Sequence, residues 1–358
     1  MPGAISSLER VETVLRGGVP DRVPIHLHNF MMCALASGLP FAEYFQSGDA
    51  MAEGQLKAWR EYGHDVLMLE NGTVALAQAC GCEVEYLAES APVLLKPVLK
   101  SLDDLDSLTA PDPYKAHPLA ANLKATRLVA REVGNQACVL GRADQGPFSL
   151  AAMLLGVENF LLALTDPANK EKLHALLEYS LEVVYRYAVA QRDEGAHITS
   201  IGESLAGPDV SSPRMYRAFE WPYAGRLSRR LKETRLPLAC HICGNANAIV
   251  ADMAETGCEI LELDYKCDMP TIKQATRGKC AILGVLDPSG VLALGDPDLI
   301  QQKVREMMLV LAPGGGLIAG PGCALPPTTP RANIHAMIEA AHRFGRYLPD
   351  GRVVEIGD

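Results

Sequence analysis

Short runs of β-branched and other apolar residues alternate along the chain with long segments whose apolar positions recur every three to four residues. The runs predict strands at 23–28, 65–69, 138–142, 197–201, 237–241, 258–263, 280–285 and 316–319. The longer segments predict helices at 166–194, 213–233, 246–256, 297–311 and 330–347. Asp166-Pro167, Ser212-Pro213, Asp296-Pro297 and Thr329-Pro330 each pair a capping residue with a proline suited to the first helical position. Gly195 and Gly257 stand where two helices end. Strands alternating with helices imply parallel strands joined by crossovers, and this number of units closes a (β/α)8 barrel. The expectation is therefore one α/β domain, a single TIM barrel over 1–358. An open doubly wound sheet is disfavoured, because no G-x-G-x-x-G follows the first strand. Residues 71–119 are the least regular, and are expected to form an excursion over the barrel mouth.

Barrel chemistry gathers where strands end and the following loops begin. That rule selects His28, Glu70, Asp144, Glu203, His241 with Cys243, Asp264, Asp287 and Cys323. In PLACHICGN (237–245) side chains alternate, so His241 and Cys243 point to the same side and Cys240 to the other. An imidazole and a thiolate on one side can meet a single zinc ion, with Cys323 of GPGCALPP (320–327) as third ligand. Three protein ligands leave a fourth position open, as catalytic zinc requires. A competing set is Glu203, Glu220 and His241, since the residue before Trp221-Pro222 is placed where a helix break would turn Glu220 to the mouth. Asp144, Asp264 and Asp287 are candidates for binding the cofactor; Asp264 and Asp287 would otherwise orient ligands or cap helices. His26 faces the same way as His28, and both also suit plain hydrogen-bonded barrel positions. Cys80 and Cys82 read as core.

Composition narrows the field. Six of the ten cysteines lie between 240 and 323, which places the chemistry in the C-terminal half. In a chain of 358 residues they read as reduced thiols, ligands among them, rather than a disulfide framework. A net charge of −10, spread along the chain, argues against a nucleic-acid partner. No apolar stretch is long enough for a membrane span, and Glu9 and Glu12 are foreign to a signal peptide. The expected location is the cytoplasm.

Five ordered stretches carry a family likeness: GPFSLAAMLLGVENF, SPRMYRAFEWPY, HICGNANAIVADMAETGCEILELDYKCDM, GVLDPSGVLALGDP and GPGCALPPTTPRANIHAMIEAA. The chain resembles the uroporphyrinogen decarboxylase superfamily over nearly its whole length, and within it the zinc methyltransferases of corrinoid-dependent methyl transfer. The resemblance implies a (β/α)8 barrel, a zinc ion and a cobalamin or other corrinoid as methyl carrier, on a partner protein. It also implies a small-molecule thiol acceptor or methyl donor. The methylcobalamin:thiol methyltransferases bind zinc through His-x-Cys and a distant Cys, which map onto His241, Cys243 and Cys323. Relatives that demethylate methoxylated aromatics use two glutamates and a histidine, a pattern in which Glu220 and, less closely, Glu203 would serve. The decarboxylases hold a tetrapyrrole's carboxylates with arginines after the first strand. Here 22–38 is RVPIHLHNFMMCALASG, without arginine beyond Arg22, and GPGCALPP replaces their C-terminal histidine motif. Decarboxylation, with Arg142 as the nearest candidate cation, and a non-catalytic corrinoid-binding barrel remain as alternatives.

Overall fold

The computed structural model describes residues 5–354. The strands are β1 (His26–Leu27), β2 (Val66–Leu69), β3 (Glu83–Glu85), β4 (Val93–Lys96), β5 (Cys138–Gln145), β6 (Ile198–Gly202), β7 (Leu238–Ile242), β8 (Ile260–Leu263), β9 (Ala281–Leu286) and β10 (Leu317–Pro321). Eight of them form one parallel sheet in the order β1-β2-β5-β6-β7-β8-β9-β10. The sheet returns on itself through a parallel bridge between Ile25 and Ala319, whose N–H donates to the Pro24 carbonyl at 2.8 Å. This is the (β/α)8 barrel, and each expected strand has its counterpart in it.

These strands are buried on both faces, which is why they read as unbroken apolar runs. Outward residues such as Ile201, Cys240, Ile242, Leu261 and Leu263 pack under the helices. Inward residues Val66, Cys138, Ile198, Ala239, Ile260, Ala281 and Ile318 fill the base of the barrel. Val11 and Val14 of helix Ser7–Leu15 close that base from below. The plug is anchored electrostatically. Buried Asp65 receives Arg10 at 2.7 Å and Arg22 at 2.7 Å, and accepts the Ile25 N–H at 2.7 Å.

Above the apolar base, the same inward positions become polar. Ser200, His241, Glu262, His28, Glu70 and Arg142 meet across the barrel axis through the contacts described below. The period of two puts Glu262 and Asp264 in line with Ile260, and His241 and Cys243 in line with Ala239.

The helices depart from expectation in instructive ways. Helix Pro297–Leu311 has the expected limits, whereas the helix expected at 246–256 is only Val250–Ala254. Residues 213–233 do not break at Trp221-Pro222. They pass through a π turn, Tyr216–Glu220, and continue as Trp221–Glu233, where the proline sits in the first turn and needs no N–H partner. Glu220 is thereby kept in the layer between helix and sheet, fully buried, and does not turn to the mouth. Residues 71–119 lie only in part by the mouth, where the Phe41 N–H donates to Ala88 O at 2.9 Å. After helix Ala75–Ala79 they form the β3–β4 hairpin and pack along the outer helices. The Leu99 N–H donates to Leu154 O at 2.9 Å, and the Tyr179 hydroxyl to Thr109 O at 3.1 Å. Buried Cys80, Cys82 and Leu99 explain the course: apolar groups are drawn to the helical layer. Among the described residues, no helix is long and apolar enough to cross a membrane.

Candidate metal centre

β7 ends in His241-Ile242 and delivers Cys243 one step beyond the sheet; Gly244 then turns the chain with φ of +83°. A side chain at Gly244 would collide with Asp209, so the tight turn requires glycine. Asp264, past the end of β8, accepts the Gly244 N–H at 2.9 Å and the Lys266 N–H at 3.0 Å, and so holds the Cys243 turn in place. Cys323 follows β10 in a loop pinned by the Leu325 N–H, which donates to His28 O at 2.8 Å. The result is a convergence across the mouth. His241 Nε2 lies 2.9 Å from Cys243 Sγ, and the two sulfurs are 3.6 Å apart.

The protonation pattern suits a ligand set. His241 Nδ1 is 3.1 Å from the Glu262 carbonyl oxygen, which only an N–H can satisfy, so Nε2 is the nitrogen left for the sulfurs: it donates to Cys243 when the ring is charged and offers its lone pair to a metal ion when the ring is neutral. Cys243 is held as thiolate: hydrogen bonds from Cys323 and His241 outweigh its burial and bring its pKa down to about 3. Cys323 moves the opposite way, raised by the same thiolate and by burial. A soft, anionic S and N donor set of this kind fits zinc.

Beneath these three lies a charged layer. His28 Nε2 is 2.7 Å from Glu70 and its Nδ1 is 3.0 Å from Glu262. Arg142 reaches Glu262 at 3.4 Å, Ser200 at 3.4 Å and Glu70 at 4.0 Å. Burial disfavours charge on Glu262, yet His241, His28 and Arg142 hold its carboxyl well below the usual range. His28 is pushed up to about 9, because Glu70 and Glu262 outweigh burial. Sequence reasoning missed Glu262. Its signal was available: a carboxylate inside the apolar strand CEILEL, at an inward position.

The remaining candidates are placed elsewhere. Glu203 accepts the N–H groups of Phe148 (2.9 Å) and Ser149 (2.8 Å) at the start of helix Pro147–Leu155. Burial raises it to about 7. Glu220, raised by burial and by Glu203, faces that carboxylate on the outer side of the sheet. Neither is grouped with His241. Among the described residues, donor atoms of two trios lie within 4.8 Å of one another: His241, Cys243 and Cys323, and His26, His28 and Glu262. Asp287 accepts the Ser289 and Gly290 N–H groups, each at 2.9 Å, which is a capping role. Asp144 accepts the Leu76 N–H at 2.8 Å. Cys240 faces away from the trio, next to Cys258 in the apolar layer.

Comparison with known proteins agrees with this architecture. The chain is 26% identical over 348 residues to the methylcobamide:CoM methyltransferase MtaA of Methanosarcina barkeri, covering 94% of this chain and 97% of that protein. It is 27% identical over 317 residues to the uroporphyrinogen decarboxylase of Crocosphaera subtropica, covering 86% of each. A solved methyltransferase from Methanosarcina mazei shares the fold with a TM-score of 0.86 at 24% identity, covering 94% of this chain and 98% of that one. Residues 6–344 match the uroporphyrinogen decarboxylase (URO-D) family, and the chain belongs to that family.

Proposed function

We propose that the protein is a zinc-dependent methyltransferase that moves a methyl group between a corrinoid, carried on a partner protein, and a small-molecule thiol. The observation that carries this reading is the convergence of one imidazole and two thiols at the barrel mouth, with His241 Nε2 beside Cys243 and the donor atoms of all three within 4.8 Å of one another. Similarity to methylcobamide:CoM methyltransferases over nearly the full length supports it.

His241, Cys243 and Cys323 would hold the ion. Zinc held there would lower the pKa of a thiol substrate towards neutrality and so supply a nucleophile for a methyl carbon. The chain's own groups prepare the site. The Glu262 carbonyl fixes the His241 tautomer; Asp264 fixes the Cys243 turn; the His28 carbonyl fixes the Cys323 loop. With both cysteines ionised and His241 neutral, the ligand set carries two negative charges against the ion's two positive ones. The centre would then be neutral before the thiol enters, and a bound thiolate would leave it with one negative charge, the thiol's proton passing to solvent.

The decarboxylase relatives bring forward a second activity, but Arg142, the arginine of the charged layer, is buried and already opposed by Glu70 and Glu262. Cobalt(II) substitution tests the proposal. The protein should show thiolate-to-cobalt charge transfer, lost in Cys243→Ser and Cys323→Ser and retained in Glu220→Ala. Methyl transfer from methylcobalamin to a thiol should fall about 100-fold or more in the serine variants, beyond the usual effect of losing an outer ligand-orienting group. A charge-transfer band lost in Glu220→Ala but kept in Cys323→Ser would overturn the ligand set. Corrinoid binding without turnover by the metal-loaded wild type would reduce the protein to a binding barrel.

A further inference from the structure

We propose that His26, His28 and Glu262 form a second metal site, for a divalent transition ion, inside the barrel beneath the thiolate centre. One donor atom from each lies within 4.8 Å of the other two. All three side chains are buried.

His26 supplies the first argument. It points into the barrel from β1 and is fully buried, and among the described residues neither ring nitrogen makes a well-formed hydrogen bond, although the Val66 backbone is near. Leaving two buried polar nitrogens unpaired is costly, and such groups call for a partner. The thiolate centre makes no use of His26, so its orphaned nitrogens point to a different ligand.

The surroundings supply the second. Glu70 sits 2.7 Å from His28 Nε2, the arrangement in which a carboxylate orients a metal-binding imidazole and leaves the other nitrogen for the ion. That other nitrogen, Nδ1, lies 3.0 Å from Glu262 Oε1. Arg142 approaches the opposite oxygen, Oε2, at 3.4 Å, so Oε1 is the free donor. Glu70 and Glu262 here face Arg142 and His28, and an ion takes over from the His28 proton as the partner of Glu262. Binding displaces the one proton shared between His28 Nδ1 and Glu262 Oε1. Two imidazoles and a carboxylate suit zinc, cobalt, nickel or ferrous iron, and do not suit magnesium or calcium. The backbone carbonyl of Glu262 accepts from His241, so an ion here would stiffen the strand that orients the first site's histidine.

The test counts cobalt(II) on metal-stripped, reloaded full-length protein, and follows the thiolate charge-transfer band alongside the count. Wild type should take up two equivalents. His26→Asn should take up one and keep the band; Cys243→Ser with Cys323→Ser should take up one and lose it. A single equivalent in wild type, with none in the double serine variant, overturns the second site and leaves the thiolate centre standing. Should His26→Asn fold poorly, the double serine variant decides alone, because its remaining equivalent can only be read at a site without sulfur.

Discussion

Asp144 sits on the rim of the barrel in the left-handed region, with φ of +62°. One carboxylate oxygen accepts the Leu76 N–H, and the other makes no well-formed hydrogen bond among the described residues. Burial raises its pKa to about 7, and Glu70 adds to the rise; the Leu76 N–H, Arg142 and Gln145 work against it. A carboxyl with a folded pKa above its unfolded value binds more protons in the folded state. Its contribution is therefore present below the unfolded value, near 4, and is lost as pH rises towards about 7. Asp144→Asn keeps an oxygen for Leu76, and asparagine tolerates the left-handed backbone. We expect the variant to be more stable than wild type at pH 8 by a few kcal/mol at most, with the difference vanishing near pH 4. Urea unfolding at several pH values would show this; parallel curves for the two proteins would refute it.

At the scale of elements, the plug formed by helix Ser7–Leu15 is the feature whose loss should be felt most. Asp65 is fully buried and satisfies two arginines and a backbone N–H at once. Removing one member of a buried ionic group strands the others, typically at about 3–5 kcal/mol. Asp65→Ala should therefore lower unfolding free energy by that order while leaving cobalt uptake per folded chain unchanged. A loss below about 1 kcal/mol would mean that water reaches Arg10 and compensates it. The sequence carried little sign of this element. Residues 7–15 are amphipathic, but their apolar face plugs a barrel end, a contact that exists only once the strands have closed. The barrel strands were legible because burial on both faces leaves continuous apolar runs, and His241, Cys243 and Cys323 because they stand at strand ends. The path of Glu220 was not legible. A proline in the first turn of a helix and one that ends a helix look alike in sequence, and the π turn that distinguishes them is set by packing.

For the whole molecule, the centre has a mechanical consequence as well as a chemical one. Cys243 and Cys323 are separated by 80 residues and belong to loops after β7 and β10, so an ion bound between them would tie two distant parts of the ring. We read 1–358 as one cooperative unit, and ion binding to its folded form should then stabilise all of it together. At a free metal concentration one hundred times the dissociation constant, a single site adds about 2.7 kcal/mol. For a chain of this size that corresponds to a rise in Tm of about 4 °C. Calorimetry with zinc and with a chelator should show one transition in each case, shifted by that order. Cys243→Ser with Cys323→Ser should lose most of the shift if the thiolate centre dominates. A residual shift in that variant, abolished by adding His26→Asn, would report the second ion acting on the same cooperative unit. Two transitions, of which only one responds to zinc, would instead divide the chain into separately folding parts and confine the metal's effect to one of them.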